Sequence, residues 1–454
     1  MVTDMRISHI ARYILIIIAT AGGWSHHAAA GNLWLDADTI ATSYANTMAV
    51  CGDDTMAVCG DDTMTVCGDD TMTVCVGDTA IADSIEAPWP QNIVNRIDTL
   101  LTHSMFETSM AGIMVYDLTA DSVLYAHNHK QRLRPASTMK LVTAITALDR
   151  LGGAHLFKTS LMYKGEVADS TLRGDIYCVG GFDPRFNVDD MHAFVESMQA
   201  MGIDTIRGRI IIDKTMKDSD MLGWGWCWDD DNPVLSPLLL SRKDNFLDRF
   251  LQALSDEGII LEVVCSEGRV PSDAETICVR SHSMDQILMK MMKNSDNLYA
   301  ESMFYQVAAS SGARPAKAEH ARQIISRLVG KTGLNAKQYV FADGSGLSLY
   351  NYVSAEMEVA MLKYAYRNTN IYIHLLPSLP IAGVDGTLRK RMRGTAAEGN
   401  VHAKTGTVEG VSALAGYCTA ANGHMLCFSI INQGVASSTT GRNFQNRVCN
   451  ALCK

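Results

Sequence analysis

Apolar positions along the chain change texture three times. Residues 93–101 repeat them at helical spacing and predict an amphipathic helix. Residues 112–116 and 123–126 predict two strands with a turn at Ala120-Asp121. Leu141, Ile145 and Leu148 return to helical spacing, and Gly152-Gly153 ends that helix. From about residue 157 to 278 the runs are short and strand-like, as at 210–213 and 259–264, which marks an inserted, mainly β domain. A helical stretch follows from Met284 to about Ser310, broken at Ser295-Asp296-Asn297. Residues 401–407, 412–419 and 425–431 predict three strands, the last two joined by a hairpin turn at Asn422-Gly423. Residues 442–452 predict a closing helix.

Length refines this picture. A chain of 454 residues exceeds one ordinary core, so two domains are expected. A hydrophobic content of 47% with 19% charged residues is that of a globular protein able to bury a sizeable core. A net charge of −10 without a long Lys/Arg run argues against nucleic acid as a partner.

The first 30 residues have the composition of a signal peptide. Arg6 and Arg12 are basic, residues 13–24 are mostly apolar, and Ala28-Ala29-Ala30 offers a cleavage site. The apolar run is shorter than the roughly 20 residues that span a bilayer. Cleavage near Ala30 and a periplasmic location are expected; an uncleaved segment would leave peripheral membrane contact. Residues 31–87 read as a linker. They contain four octapeptide copies, TMAVCGDD twice, TMTVCGDD and TMTVCVGD, between Thr47 and Asp78. Weak alternatives for the repeat are a calcium-binding solenoid and a cysteine-rich tether. The eight cysteines after the repeat lack zinc-ribbon spacing, and both disulfides and buried thiols are open readings. Ordered structure is expected from Pro88, with residues 88–156 and 279–454 forming one domain around the insert of 157–278.

Three short motifs carry candidate chemistry. Ser137-Thr138-Met139-Lys140 places a hydroxyl and an amine three residues apart, on one face of a helix N-terminus. A serine nucleophile needs a base, and a lysine supplies one when burial and nearby positive charge, such as Lys404, favour its neutral form. Ser295-Asp296-Asn297 breaks a helical run and can present a second hydroxyl and an amide to a cleft. Lys404-Thr405-Gly406-Thr407 lies on a strand. Its glycine permits close approach of an extended peptide, and its lysine and threonines can hold a carboxylate. A second Lys-Thr-Gly, at 331–333, lacks a strand setting and reads as a helix C-terminal turn. Ile325 stands where a phosphate-binding loop needs its first glycine.

In this order the trio resembles the signature of penicillin-binding proteins and class A β-lactamases. The wider chain resembles the class C low-molecular-weight penicillin-binding proteins, the D-alanyl-D-alanine carboxypeptidase/endopeptidase family. Residues 341–348 with Asn351, and 379–388 running through Arg393-Gly394-Thr395 into His402, carry that resemblance, with Gly180-Gly181-Phe182-Asp183-Pro184, Trp228-Asp229-Asp230 and Ser236-Pro237 in the insert. It implies an α+β fold: an antiparallel sheet flanked by helices, with an inserted domain between the first two motifs. It also implies that Ser137 is the nucleophile, Lys140 its base and Ser295 a proton relay. Asn297, Lys404, Thr405, Gly406 and Thr407 would bind substrate, and the N–H groups of Ser137 and Thr407 would form the oxyanion hole. The implied partners are peptidoglycan peptides and, as covalent inhibitors, β-lactam antibiotics; no metal or organic cofactor is implied. Two departures stand out: a spacing of 158 residues between Ser137 and Ser295, and an atypical Leu-Leu-Leu-Ser-Arg-Lys-Asp run at 238–244. The competing readings are a β-lactamase, which needs a carboxylate poised for fast deacylation, and an inactive wall-binding scaffold.

Overall fold

This computed structural model describes residues 87–454; the expected signal segment and the octapeptide repeats lie outside the described residues. Helix α1 (Gln91–Leu101) precedes strands β1 (Met110–Asp117) and β2 (Ser122–His127), and a 3₁₀ turn at Ala136–Thr138 leads into α2 (Met139–Leu151). The middle of the chain forms β3 (Leu156–Ala168), β4 (Thr171–Gly180), α3 (Val188–Ala200), β5 (Thr205–Asp213), α4 (Phe246–Asp256), β6 (Ile260–Glu267) and β7 (Glu275–Ser283). Helices α5 (Met284–Lys293), α6 (Asn297–Ala309), α7 (Ala318–Lys331), α8 (Ala355–Arg367) and α9 (Thr369–Ser378) follow. The chain closes with β8 (His402–Val408), β9 (Val411–Thr419), β10 (Met425–Gln433) and α10 (Ser438–Cys453).

The first sheet, ordered β2-β1-β10-β9-β8, is antiparallel throughout. Its central strands are buried on both faces, so their apolar residues run almost without interruption. The two-residue period of β1 divides them. Ala111, Ile113 and Val115 pack with Ile93 and Ile97 of α1 and Phe444 and Val448 of α10. Met114 and Tyr116 join the larger core built by helices α2 and α5 to α9. Helix α2 is buried along ten consecutive residues, from Met139 to Leu148, and is the central post of that core.

The second sheet is ordered β6-β5-β4-β3-β7. Strand β3 pairs antiparallel with β4 and β7, whereas β4, β5 and β6 run parallel. Parallel neighbours need crossovers, and α3 and α4 supply them. These two helices are the part of the insert that the strand-like texture of the sequence concealed. Their apolar faces, Phe194 and Met198 on one and Phe246, Phe250 and Leu254 on the other, cover the sheet.

Two connections fix this sheet to the helical core. Strand β7 runs directly into α5 through Ser283, whose hydroxyl accepts from Gln286 N–H while Gln286 Oε1 accepts from Ser283 N–H. The Gly180–Pro184 turn docks on α6: Ser302 Oγ donates to the Phe182 carbonyl and Gln306 Nε2 to that of Gly181. All eight described cysteines are free thiols.

Candidate active site

Ser137 sits in the 3₁₀ turn ahead of α2 rather than in the helix itself. Such a turn repeats every three residues, so Ser137 and Lys140 still share a face. Lys140 Nζ lies 2.9 Å from Ser137 Oγ, 2.7 Å from Asn297 Oδ1 and 2.7 Å from the Ser345 carbonyl. Ser137 is half-buried and Lys140 fully buried. Burial lowers the lysine pKa to about 8, against the pull of Asp343, Glu301 and Asp296.

The Ser-Asp-Asn triplet lies at the break between α5 and α6. Ser295 has φ +59°, and Asp296 caps α6 by accepting from the N–H groups of Leu298 and Tyr299. Asp296 also takes both forks of Arg242, at 2.7 and 3.2 Å. Arg242 belongs to the atypical run at 238–244. The insert thus braces the triplet from outside.

Strand β8 is the edge of the first sheet, paired along one side with β9 and bridged on its outer side at its start, where Ala403 N–H donates to the Pro380 carbonyl at 2.9 Å. Lys404 is fully buried, donating from Nζ to Ser295 Oγ at 2.8 Å and to the Thr405 carbonyl at 2.7 Å. Burial and the nearby Lys140 both push its pKa well down. Thr405 Oγ1 is held by Thr387 Oγ1 at 2.8 Å, and Thr407 is exposed. Gly406 is required by space: a Cβ there would stand 2.5 Å from the Pro135 carbonyl and 3.1 Å from Thr138 N. The Lys-Thr-Gly strand and the Ser137 turn are therefore in backbone contact.

All eight expected site residues thus come from three elements that meet at one edge of the sheet. The second Lys-Thr-Gly lies elsewhere, with Lys331 ending α7 and Gly333 in the left-handed turn after it.

A layer of buried carboxyls beneath the site lies outside the three motifs. Glu301 accepts from the N–H groups of Gly344 and Ser345, shaping the loop whose carbonyl holds Lys140. Asp343 accepts from Trp226 Nε1, Gly346 N–H, Ser348 N–H and Asn351 Nδ2. Burial raises Glu301 to about 8. Its position four residues after Asn297, on the same face of α6, was the available sequence signal.

A nucleophile turn, a lysine one turn on, a second serine–lysine pair and a free strand edge define a serine acyl-transfer enzyme of the penicillin-binding and β-lactamase class. The chain belongs to the D-Ala-D-Ala carboxypeptidase 3 (S13) family, which it matches over residues 93–238 and 240–453. It is a serine-type D-Ala-D-Ala carboxypeptidase/endopeptidase. It is 29% identical to a D-alanyl-D-alanine carboxypeptidase of an Actinomadura strain over 442 residues, 74% of this chain and 80% of the relative. Penicillin binding protein 4 (dacB) of Haemophilus influenzae shares the fold, with a TM-score of 0.71 at 23% identity over 78% of this chain and 98% of that one. The same protein complexed with a β-lactam superposes with a TM-score of 0.66, at the same identity and coverage.

Proposed function

We propose that the reaction runs through an acyl-enzyme on Ser137. Neutral Lys140 takes the Ser137 proton, and Oγ attacks the carbonyl between two D-alanines, or that of a D-amino-acid cross-link, in peptidoglycan. The oxyanion is held by the backbone N–H groups of Ser137 and Thr407. The Ser295–Lys404 pair returns a proton to the departing amine, Asn297 orients the substrate backbone, and Lys404 with Thr405 and Thr407 receives the terminal carboxylate along the edge of β8. Water then releases the acyl group. The observation that carries this reading is the 2.9 Å contact between Ser137 Oγ and a buried lysine whose pKa is lowered to about 8. β-Lactams enter by the same attack and remain as covalent adducts. The enzyme acts after export, in the periplasm, on stem peptides or their cross-links.

The test is intact-protein mass after benzylpenicillin treatment of the full chain, beside Ser137→Ala. One drug mass on the wild type alone is expected. Peptidase turnover in Ser137→Ala should fall by about 10⁶-fold. Wild-type hydrolysis by that variant sinks the assignment.

A further inference from the structure

One buried carboxyl lies directly under the nucleophile turn and has no part in the chemistry above. Glu358 of α8 is 1% exposed. Its Oε1 lies 2.5 Å from Thr138 Oγ1, and its Oε2 accepts from Ser429 Oγ of β10 at 2.7 Å. Thr138 directly follows Ser137, and its hydroxyl also lies 2.8 Å from the Pro135 carbonyl.

Counting protons settles who donates. Thr138 has one hydroxyl proton, and the Pro135 carbonyl can only accept. If Thr138 gives that proton to an ionised Glu358, its oxygen and the Pro135 carbonyl face each other at 2.8 Å with no proton between them, and Pro135 keeps only the longer bond from Thr138 N–H at 3.3 Å. All three contacts are satisfied only when Glu358 Oε1 carries a proton and donates to Thr138, which donates on to Pro135. The Pro135 carbonyl is also the group that Gly406 of β8 approaches. The chain of bonds therefore runs from Ser429 through Glu358 and Thr138 to the contact between the Ser137 turn and the Lys-Thr-Gly strand.

Charged groups of the surrounding elements are engaged elsewhere. Lys140 of α2 binds Ser137 and Asn297, Asp117 of β1 binds His424, and His374 of α9 binds Asp285. On α7, Lys331 pairs with Asp149 and Arg322 donates to the Ala342 carbonyl. Strands β9 and β10 carry no Asp, Glu, Lys, Arg or His.

We propose that Glu358 is a positioning residue: a protonated carboxylic acid that locks the Ser137 turn at its working distance from the Lys-Thr-Gly strand. Ionisation loosens the lock, because Thr138 then turns its hydroxyl proton to the carboxylate and leaves Pro135 only the longer bond from Thr138 N–H. Burial raises the Glu358 pKa to about 7, so the lock loosens within an ordinary assay range. This inference rests on Ser137 as the nucleophile.

The experiment is the benzylpenicillin acylation rate of the full chain against pH for wild type, Glu358→Gln and Glu358→Met. An amide reproduces a protonated acid, donating to Thr138 and accepting from Ser429. Glu358→Gln should keep the wild-type rate at pH 6 and, above pH 8, climb to about tenfold over the wild type, which levels off early as Glu358 ionises. Its own profile should follow Lys140 alone. Glu358→Met should lose about tenfold, the size of one buried hydrogen bond felt at the transition state. The infrared difference between wild type and Glu358→Gln at pH 6 should show a protonated-carboxyl band lost in the variant, over the one that Glu301 contributes to both. A Gln variant with a tenfold loss at pH 6, or no such band, overturns the proposal: the group is then an ionised acceptor. A Gln profile superimposable on that of the wild type above pH 8 also overturns it. Absence of any adduct on the wild type would instead defeat the Ser137 assignment.

Discussion

At the scale of single residues, the decisive event is the loss of a proton by Lys140. An ammonium cannot take a proton from Ser137, and in water it would stay charged well past neutrality. Burial removes that preference and brings the pKa to about 8, while Asp343, Glu301 and Asp296 limit the fall. Because the active form is the neutral one, acylation by benzylpenicillin should rise with pH through about 8 in Glu358→Gln, where Glu358 does not intervene. Lys140→Arg keeps a positive charge that cannot be shed, so it should lose about 10²–10⁴-fold in acylation rate. An acid limb that does not move in any Lys140 variant would show that another group is the base. The motif residues were legible because catalysis fixes their types and short spacings. Glu301, Asp343 and Glu358 were not, since each acts by burial against a segment far away in sequence: Glu358 meets Thr138 from 220 positions off.

At the scale of elements, the site is held together by backbone in conformations that cost energy. Ala136 has φ +48° and Ser295 φ +59°, both in the left-handed region that residues with a Cβ seldom adopt. The first aims Ser137 out of its turn and the second aims its hydroxyl at Lys404. Gly346 lies against the first of these, with φ +80°, and a Cβ there would stand 1.8 Å from the Ala136 carbonyl. Gly346→Ala should therefore push the nucleophile turn aside and cost about 10²-fold in acylation, the penalty for a displacement near 1 Å. Gly330→Ala is the matched control. That glycine is inside α7 with open space around it, so alanine should raise stability by about 0.5–1 kcal/mol and leave acylation alone. Equal acylation in the two variants would remove the turn from the argument. Helices α1, α2, α5, α6 and α10 and the strands of the first sheet were readable from apolar periodicity to within a few residues, whereas α7, α8 and α9 were not read as helices. Nor were the crossovers α3 and α4, because short helices between buried strands share the same apolar density.

At the scale of the whole molecule, placing ionisable groups inside the core makes stability depend on pH. Glu358 is raised from 4.5 to about 7 and Glu301 to about 8, chiefly by burial. Between 4.5 and those values the folded protein holds protons that the unfolded chain has released, so stability falls as pH rises. Lys140 acts in the opposite sense higher up. Its folded pKa of about 8 lies below 10.5, so above 8 the unfolded chain holds the extra proton and stability recovers. Thermal unfolding of the full chain should show a midpoint that declines from pH 5 to 8. The Glu358 interval corresponds to about 3 kcal/mol. Glu358→Gln has no proton to lose, so its stability relative to wild type should improve over the same range by up to that amount. A constant difference from pH 5 to 8 would mean that Glu358 is ionised in the folded protein throughout, and that the carboxyl under the nucleophile turn is not the source of the decline.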